Sequence, residues 1–91
     1  MVEKKIWADE EISTNKFFRV FHLKDSVGEL YWHRDDRERV VQVIAGQGWS
    51  LQKDNFLPLN LFVGNIITIE KLSWHRLLPG LDDLKLLITE L

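Results

Sequence analysis

Two histidines and one aspartate are the residues of this chain with the most chemistry to offer. His33 sits in the tripeptide Trp32-His33-Arg34, and the same tripeptide returns as Trp74-His75-Arg76. Asp35 follows His33 by two positions, in the charge cluster Arg34–Arg39 that reads as a loop. Two imidazoles and a carboxylate suit iron, manganese, nickel or zinc, with coordination positions left open for a substrate. The plainer alternative is a pair of hydrogen-bonded strand histidines, with Asp35 neutralised by Arg39 four positions on. Arg39 bears on the choice. Its charge is permanent. In the same pocket it opposes a cation, or it joins the two histidines in holding a carboxylate or phosphate. Tyr31 and Trp49 are the aromatic candidates for ligand binding, by stacking on a sugar or another flat molecule. Core packing competes for Trp49. His22, on Phe17–Lys24, is read as structural, and Arg34, Asp36 and Arg37 as a solvated loop.

Strands have to position these groups. Residues 1–15 are polar apart from Ile6 and Trp7, which suggests a short edge strand over KKIWAD and a turn over DEEISTN. Phe17–Lys24 is aromatic and β-branched, and the turn residues Asp25-Ser26-Val27-Gly28 end it. Glu29–His33 reads as a strand with Glu29, Tyr31 and His33 on one face, which turns Trp32 and Trp74 away from the pocket. Those tryptophans would then serve a partner surface or pack under the N-terminal strand. Arg39–Ala45 has strong β-propensity. Gly46-Gln47-Gly48 then predicts a hairpin returning through Trp49–Lys53, with Ala45 opposite Trp49, Val43 opposite Leu51, and Gln42 beside Gln52. Arg39, Val41, Val43, Trp49 and Leu51 then share one side. Pro58 makes LPLNLF an edge or irregular segment. Gly64-Asn65 precedes a strand over Ile66–Glu70, a short strand follows near Trp74–Leu77, and Pro79-Gly80 turns into Leu84–Thr89. Helix propensity competes in the last segment, but a short stretch after a run of strands favours a strand. Strands separated by turn signals every eight to twelve residues predict an all-β sandwich or barrel.

With these residues in place, the chain resembles the cupin superfamily, small jelly-roll barrels also called double-stranded β-helices. The first cupin motif, G-x5-H-x-H-x3,4-E-x6-G, is matched in spacing by His33, Asp35, Arg39 and Gly46, with Gly28 one residue too close to His33. The second, G-x5-P-x-G-x2-H-x3-N, is matched by Gly64 and His75, with Glu70, Leu72 and Pro79 at its Pro, Gly and Asn positions. The resemblance implies a single cupin-like domain over 1–91, with 1–15 as an N-terminal edge segment and 16–90 as the barrel. It also implies a metal site of His33, Asp35 and His75, aspartate replacing the second histidine and Arg39 standing where the usual glutamate ligand would be. Glu38 is adjacent, but a shift of one residue on a strand points a side chain to the other face, so only a bulge would bring it in. Family chemistry would be that of dioxygenases or of sugar isomerases and epimerases.

Composition sets the outer bounds. The chain has 91 residues, 45% hydrophobic and 29% charged, which is the profile of one globular domain. A net charge of −2 gives no basic footprint for nucleic acid. The absence of cysteine excludes disulfides, thiolate zinc sites and a cysteine nucleophile. MVEKKIWADEE lacks the apolar run of a signal peptide, and no stretch reaches the roughly 18 apolar residues of a membrane span. The expected protein is therefore cytoplasmic, with no nucleic-acid or membrane partner. So small a chain gains from pairing, which predicts a homodimer. The expected function is to bind a small polar molecule in the barrel through a divalent metal (Fe, Mn, Ni or Zn). The alternative is a metal-free ligand-binding or protein-interaction module with Arg39 as an anion anchor. Whether the site catalyses a reaction stays open on these residues.

Overall fold

The computed structural model describes residues 7–23 and 31–91. Eight strands run through them, with no α-helix among the described residues: β1 (Trp7–Ser13), β2 (Lys16–Phe21), β3 (Arg39–Ala45), β4 (Ser50–Lys53), β5 (Leu59–Asn60), β6 (Ile66–Ile69), β7 (His75–Leu78) and β8 (Leu84–Glu90). They form two antiparallel sheets, one ordered β1-β2-β8-β3-β6 and the other β5-β4-β7. The expected all-β architecture is what forms.

Period-two alternation explains how each strand contributes to the core. On β8, Leu84, Leu86 and Ile88 are buried while Lys85 and Leu87 between them are only partly covered. On β3 the buried pair is Val41 and Val43. These meet Phe21 and Ile69 of their own sheet and Leu51 and Leu77 of the other, with Trp49 and Leu61 completing the cluster. Arg39, Val41, Val43, Trp49 and Leu51 were expected to share a side, and the four apolar members are all in this core.

The pairing behind that arrangement differs from the expected hairpin. β3 pairs with β8 and β6, whereas β4 pairs with β5 and β7, so Gly46-Gln47-Gly48 carries the chain from one sheet to the other. Gln42 lies opposite Ile66 and Leu87, and Gln52 accepts a hydrogen bond from Arg76 Nε, so the two glutamines are not partners. A second turn makes this crossing possible. Gln47 N–H donates to Asp82 Oδ1 (2.7 Å), Leu81 N–H to the Gln47 carbonyl (2.8 Å) and Trp49 Nε1–H to the Asp82 carbonyl (2.7 Å). Gly80 is packed so closely under this joint that a Cβ there would collide with the Gln47 carbonyl and the Trp49 backbone nitrogen. A hairpin rule counts residues across one turn, and it has no term for two turns that dock on each other.

At the N-terminus the strand extends further than the polar sequence suggests. β1 runs through Asp-Glu-Glu-Ile-Ser to Ser13, leaving only Thr14-Asn15 as the turn. β1 is an edge strand, so its exposed acids cost little. Arg19 of β2 neutralises one of them, reaching Asp9 with Nε and Nη2 at 2.7 and 3.0 Å. At the other end of the chain Leu84–Glu90 is a strand as expected. Leu59–Asn60 is the edge strand expected around Pro58.

Candidate metal centre

The two Trp-His-Arg tripeptides pair with each other. His33 forms an isolated antiparallel bridge with His75, through His33 N–H to the His75 carbonyl (3.0 Å) and His75 N–H to the His33 carbonyl (2.9 Å). Tyr31 and Trp32 lie outside any strand, so the expected strand over Glu29–His33 is reduced, in its described part, to this bridge. Glu29 and Leu30 lie outside the described residues. Directly bridged residues share a face, so the two imidazoles meet edge to face with centroids 4.4 Å apart. The antiparallel register sets each tryptophan directly opposite the other copy's arginine. Arg76 lies over the Trp32 ring at 4.7 Å and Arg34 over the Trp74 ring at 5.1 Å.

Each imidazole is oriented by its own backbone. His33 Nδ1 is 2.9 Å from the Tyr31 carbonyl, and His75 Nδ1 is 2.9 Å from the Ser73 carbonyl. A carbonyl can only accept, so Nδ1 carries the proton in both rings and the neutral imidazole keeps its lone pair on Nε2. This is the orientation that prepares a histidine for a metal. Asp35 joins them: one ligand atom from each of His33, Asp35 and His75 lies within 4.8 Å of the other two. Asp35 Oδ2 is buried and makes no hydrogen bond, although His75 Nε2 is 3.4 Å away and Arg39 Nη1 is 3.3 Å away. A buried carboxylate oxygen left without a hydrogen bond is costly, and an ion shared with two imidazole nitrogens would satisfy it.

The charge balance rests on a residue with no signal in the motif. Arg39 donates from Nε (3.0 Å) and Nη2 (2.9 Å) to Glu90 Oε2, its register partner on β8. With Asp35 on the remaining side, one guanidinium faces two carboxylates, and the group is net negative when the histidines are neutral. Burial pushes the His75 imidazole below its ordinary value, with His33 and Arg39 acting in the same direction. The bond to the Ser73 carbonyl and the Asp35 charge oppose the shift. His75, 3% exposed, therefore favours the neutral form that ligates metals.

The other candidates fall elsewhere. Tyr31 contributes its carbonyl to His33 while its side chain is exposed. Trp49 is 1% exposed and packs near Phe21, so the core reading is the one its surroundings match. Glu38 is not part of the metal-competent group; its carbonyl accepts from Leu91 N–H. Arg39 is the neighbour that reaches Asp35, so no bulge re-aims Glu38. His22 is structural, its Nδ1 lying 3.1 Å from Asp83 Oδ2. Glu90 went unnoticed because only the strand order reveals its place beside Arg39. The available signal was an acid in a closing apolar strand.

No protein-family model and no curated protein matches this chain. Solved structures do. An RmlC-like cupin family protein with a double-stranded β-helix fold, from Methanocaldococcus jannaschii, superposes with a TM-score of 0.67 at 14% identity, over 99% of this chain and 92% of that one. A cupin-2 domain containing protein from Shewanella frigidimarina gives 0.66 at 19% identity, over 94% and 81%. The chain has the cupin fold. A chain from the crystal structures of DMSP lyases RdDddP and RnDddQII gives 0.68 at 15% identity, and there the match spans 82% of this chain but only 36% of the lyase chain. Leu72, at the second motif's Gly position, has φ of 64°, a left-handed conformation that a branched residue rarely takes. Leu72 N–H donates to the Asp35 carbonyl at 2.8 Å.

Proposed function

We propose that this cupin-fold protein binds a small polar molecule in its barrel through a divalent metal held by His33, Asp35 and His75. The observation that carries the reading is the buried Asp35 Oδ2, which makes no hydrogen bond and faces an imidazole whose Nδ1 proton is already committed to its own backbone. The donor set fits iron, manganese, nickel or zinc. When bound, the ion supplies Lewis acidity to an oxygen-bearing ligand. The chain's own residues do the rest. His75 is kept neutral by burial, Arg39 holds Asp35 in place, and Glu90 offsets the charge of Arg39.

The alternative, an anion held by Arg39 in a metal-free module, has less support. Nε and Nη2 of that guanidinium are bonded to Glu90, and Nη1 faces Asp35. We place the protein in the cytoplasm as a homodimer joined through β1, whose outer side has no partner strand among the described residues. No helix of the described residues is long and apolar enough to cross a membrane.

The test is metal analysis of protein purified without a histidine tag, followed by calorimetric titration of wild type and His75→Ala with manganese, iron, nickel and zinc. Saturable binding near one ion per chain, lost in His75→Ala, is expected. A wild type that binds none of the four, or an unchanged His75→Ala, would remove the reading.

A further inference from the structure

We infer that the two crossed Trp–Arg stacks form a clamp that positions His33 and Asp35, which makes Trp32, Arg34, Trp74 and Arg76 positioning residues for the candidate centre. The metal part of the test rests on the reading above; the clamp itself does not.

His33 and Asp35 come from the same short stretch, 31–35, which runs beside β7 as a strap. Among the described residues its backbone is tied to the rest of the fold by the His33–His75 pair of hydrogen bonds and by Leu72 N–H to the Asp35 carbonyl. That is few bonds for a segment carrying two of three candidate ligands, and a segment with few backbone bonds is prone to local opening. The tripeptide repeat adds two side-chain ties on the opposite side of the bridge. Trp32 of the strap lies against Arg76, whose Nε is fixed to Gln52 Oε1 on β4 at 3.0 Å. Arg34 of the strap lies over Trp74, just before β7. The two stacks thus flank the bridge, one on each side of His33, and both must part before the strap can lift. Trp32 and Trp74 are 39% and 44% exposed as whole residues, so the stacks stand at a partly exposed site. The repeat therefore serves both faces at once. Its histidines meet inside, and its tryptophans and arginines lock the register that makes them meet.

Amide hydrogen exchange followed by NMR on the metal-free protein tests the clamp. Trp32→Leu breaks one stack and Arg34→Met the other, and neither touches a candidate ligand. A cation–π contact at a partly exposed site corresponds to about a two- to fivefold change in an equilibrium. Each substitution should therefore speed exchange at the His33 amide about two- to fivefold, and the double variant about four- to twenty-fivefold. Amides of β8 such as Leu86 should change less. Trp32→Phe and Arg34→Lys, which keep a ring and a cation, should restore most of the protection. In nickel-loaded protein, chelator-driven release should accelerate by the same factor as His33 exchange, because the ion leaves when the strap lifts. The clamp is overturned if His33 exchange is unchanged, if it rises only in step with the β8 amides, or if the conservative variants protect no better than Leu and Met. A wild type that binds none of manganese, iron, nickel and zinc would remove the metal reading alone, and the exchange data would still decide the clamp.

Discussion

Arg39→Glu probes the candidate centre most directly, because it inverts the charge beside Asp35. In the wild type Arg39 Nη1 lies 3.3 Å from Asp35 Oδ2, with the two side chains 16% and 18% exposed. At an effective dielectric of about 20 the gross attraction at that distance is about 5 kcal/mol. Desolvation and residual solvent leave about 1.5–3 kcal/mol, between the worth of an exposed ion pair and the cost of breaking a buried one. A metal that uses Asp35 has to share the carboxylate with this guanidinium. Removing the competitor should tighten divalent binding about ten- to a hundredfold, at roughly 1.4 kcal/mol per decade, and glutamate offers an oxygen ligand in addition. The metal-free variant should suffer, because the introduced carboxylate would then face both Glu90 and Asp35. A loss of about 2 kcal/mol would lower Tm by roughly 10 °C in a domain of this size. Added manganese or nickel should recover that loss and more. Glu90→Gln supplies the opposite sign: it removes the counterweight to Arg39 and should weaken metal binding several-fold. Calorimetry and thermal melts on the three proteins, with His75→Ala as the zero-binding control, give the answer. A folded Arg39→Glu that binds no better than wild type would refute this account of Arg39.

Further outcomes are expected at other positions. Because His75 is held below its ordinary value of 6.5 in the folded chain, the unfolded state takes up its proton first as pH falls. Stability should therefore be full above 6.5 and decline below it until the folded imidazole also protonates. Denaturant melts across that range should show the decline, and His75→Gln should flatten it. Leu72→Gly should relieve the left-handed conformation and raise stability by about 0.5–1 kcal/mol after the entropic cost of glycine, read as a higher urea midpoint with unchanged slope. If the dimer forms through β1, its exposed Glu10 and Glu11 oppose self-pairing, so raising the salt concentration should increase the dimer fraction in sedimentation. Deleting residues 1–10 should abolish the dimer.

What could be read from the sequence was whatever depends on local alternation and spacing. Val41, Val43, Leu84, Leu86 and Ile88 are buried because period two places them there, and the cupin spacing of His33, Asp35 and His75 brought together the residues that do meet. The sheet partners of β3 and β4 were not legible, because they depend on how the 46–49 and 79–82 turns dock. Glu90 escaped notice for the same reason. Its relation to Arg39 exists only once β8 lies beside β3. β1 was shortened in prediction because an edge strand facing solvent shows no apolar period.

The place of β8 has a kinetic consequence. It follows every other strand in sequence, yet it lies in the middle of the larger sheet, between β2 and β3. Until β8 is made and inserted, the β1–β2 hairpin and the β3–β6 pair have no common partner, and each presents an open hydrogen-bonding edge. Arg39 also waits for Glu90, so the candidate centre acquires its charge balance only at that step. A nascent or refolding chain must therefore hold two half-sheets apart and soluble until one strand closes between them. Such non-local closure belongs to the millisecond-to-second end of folding and leaves paired but unsealed intermediates open to association with one another.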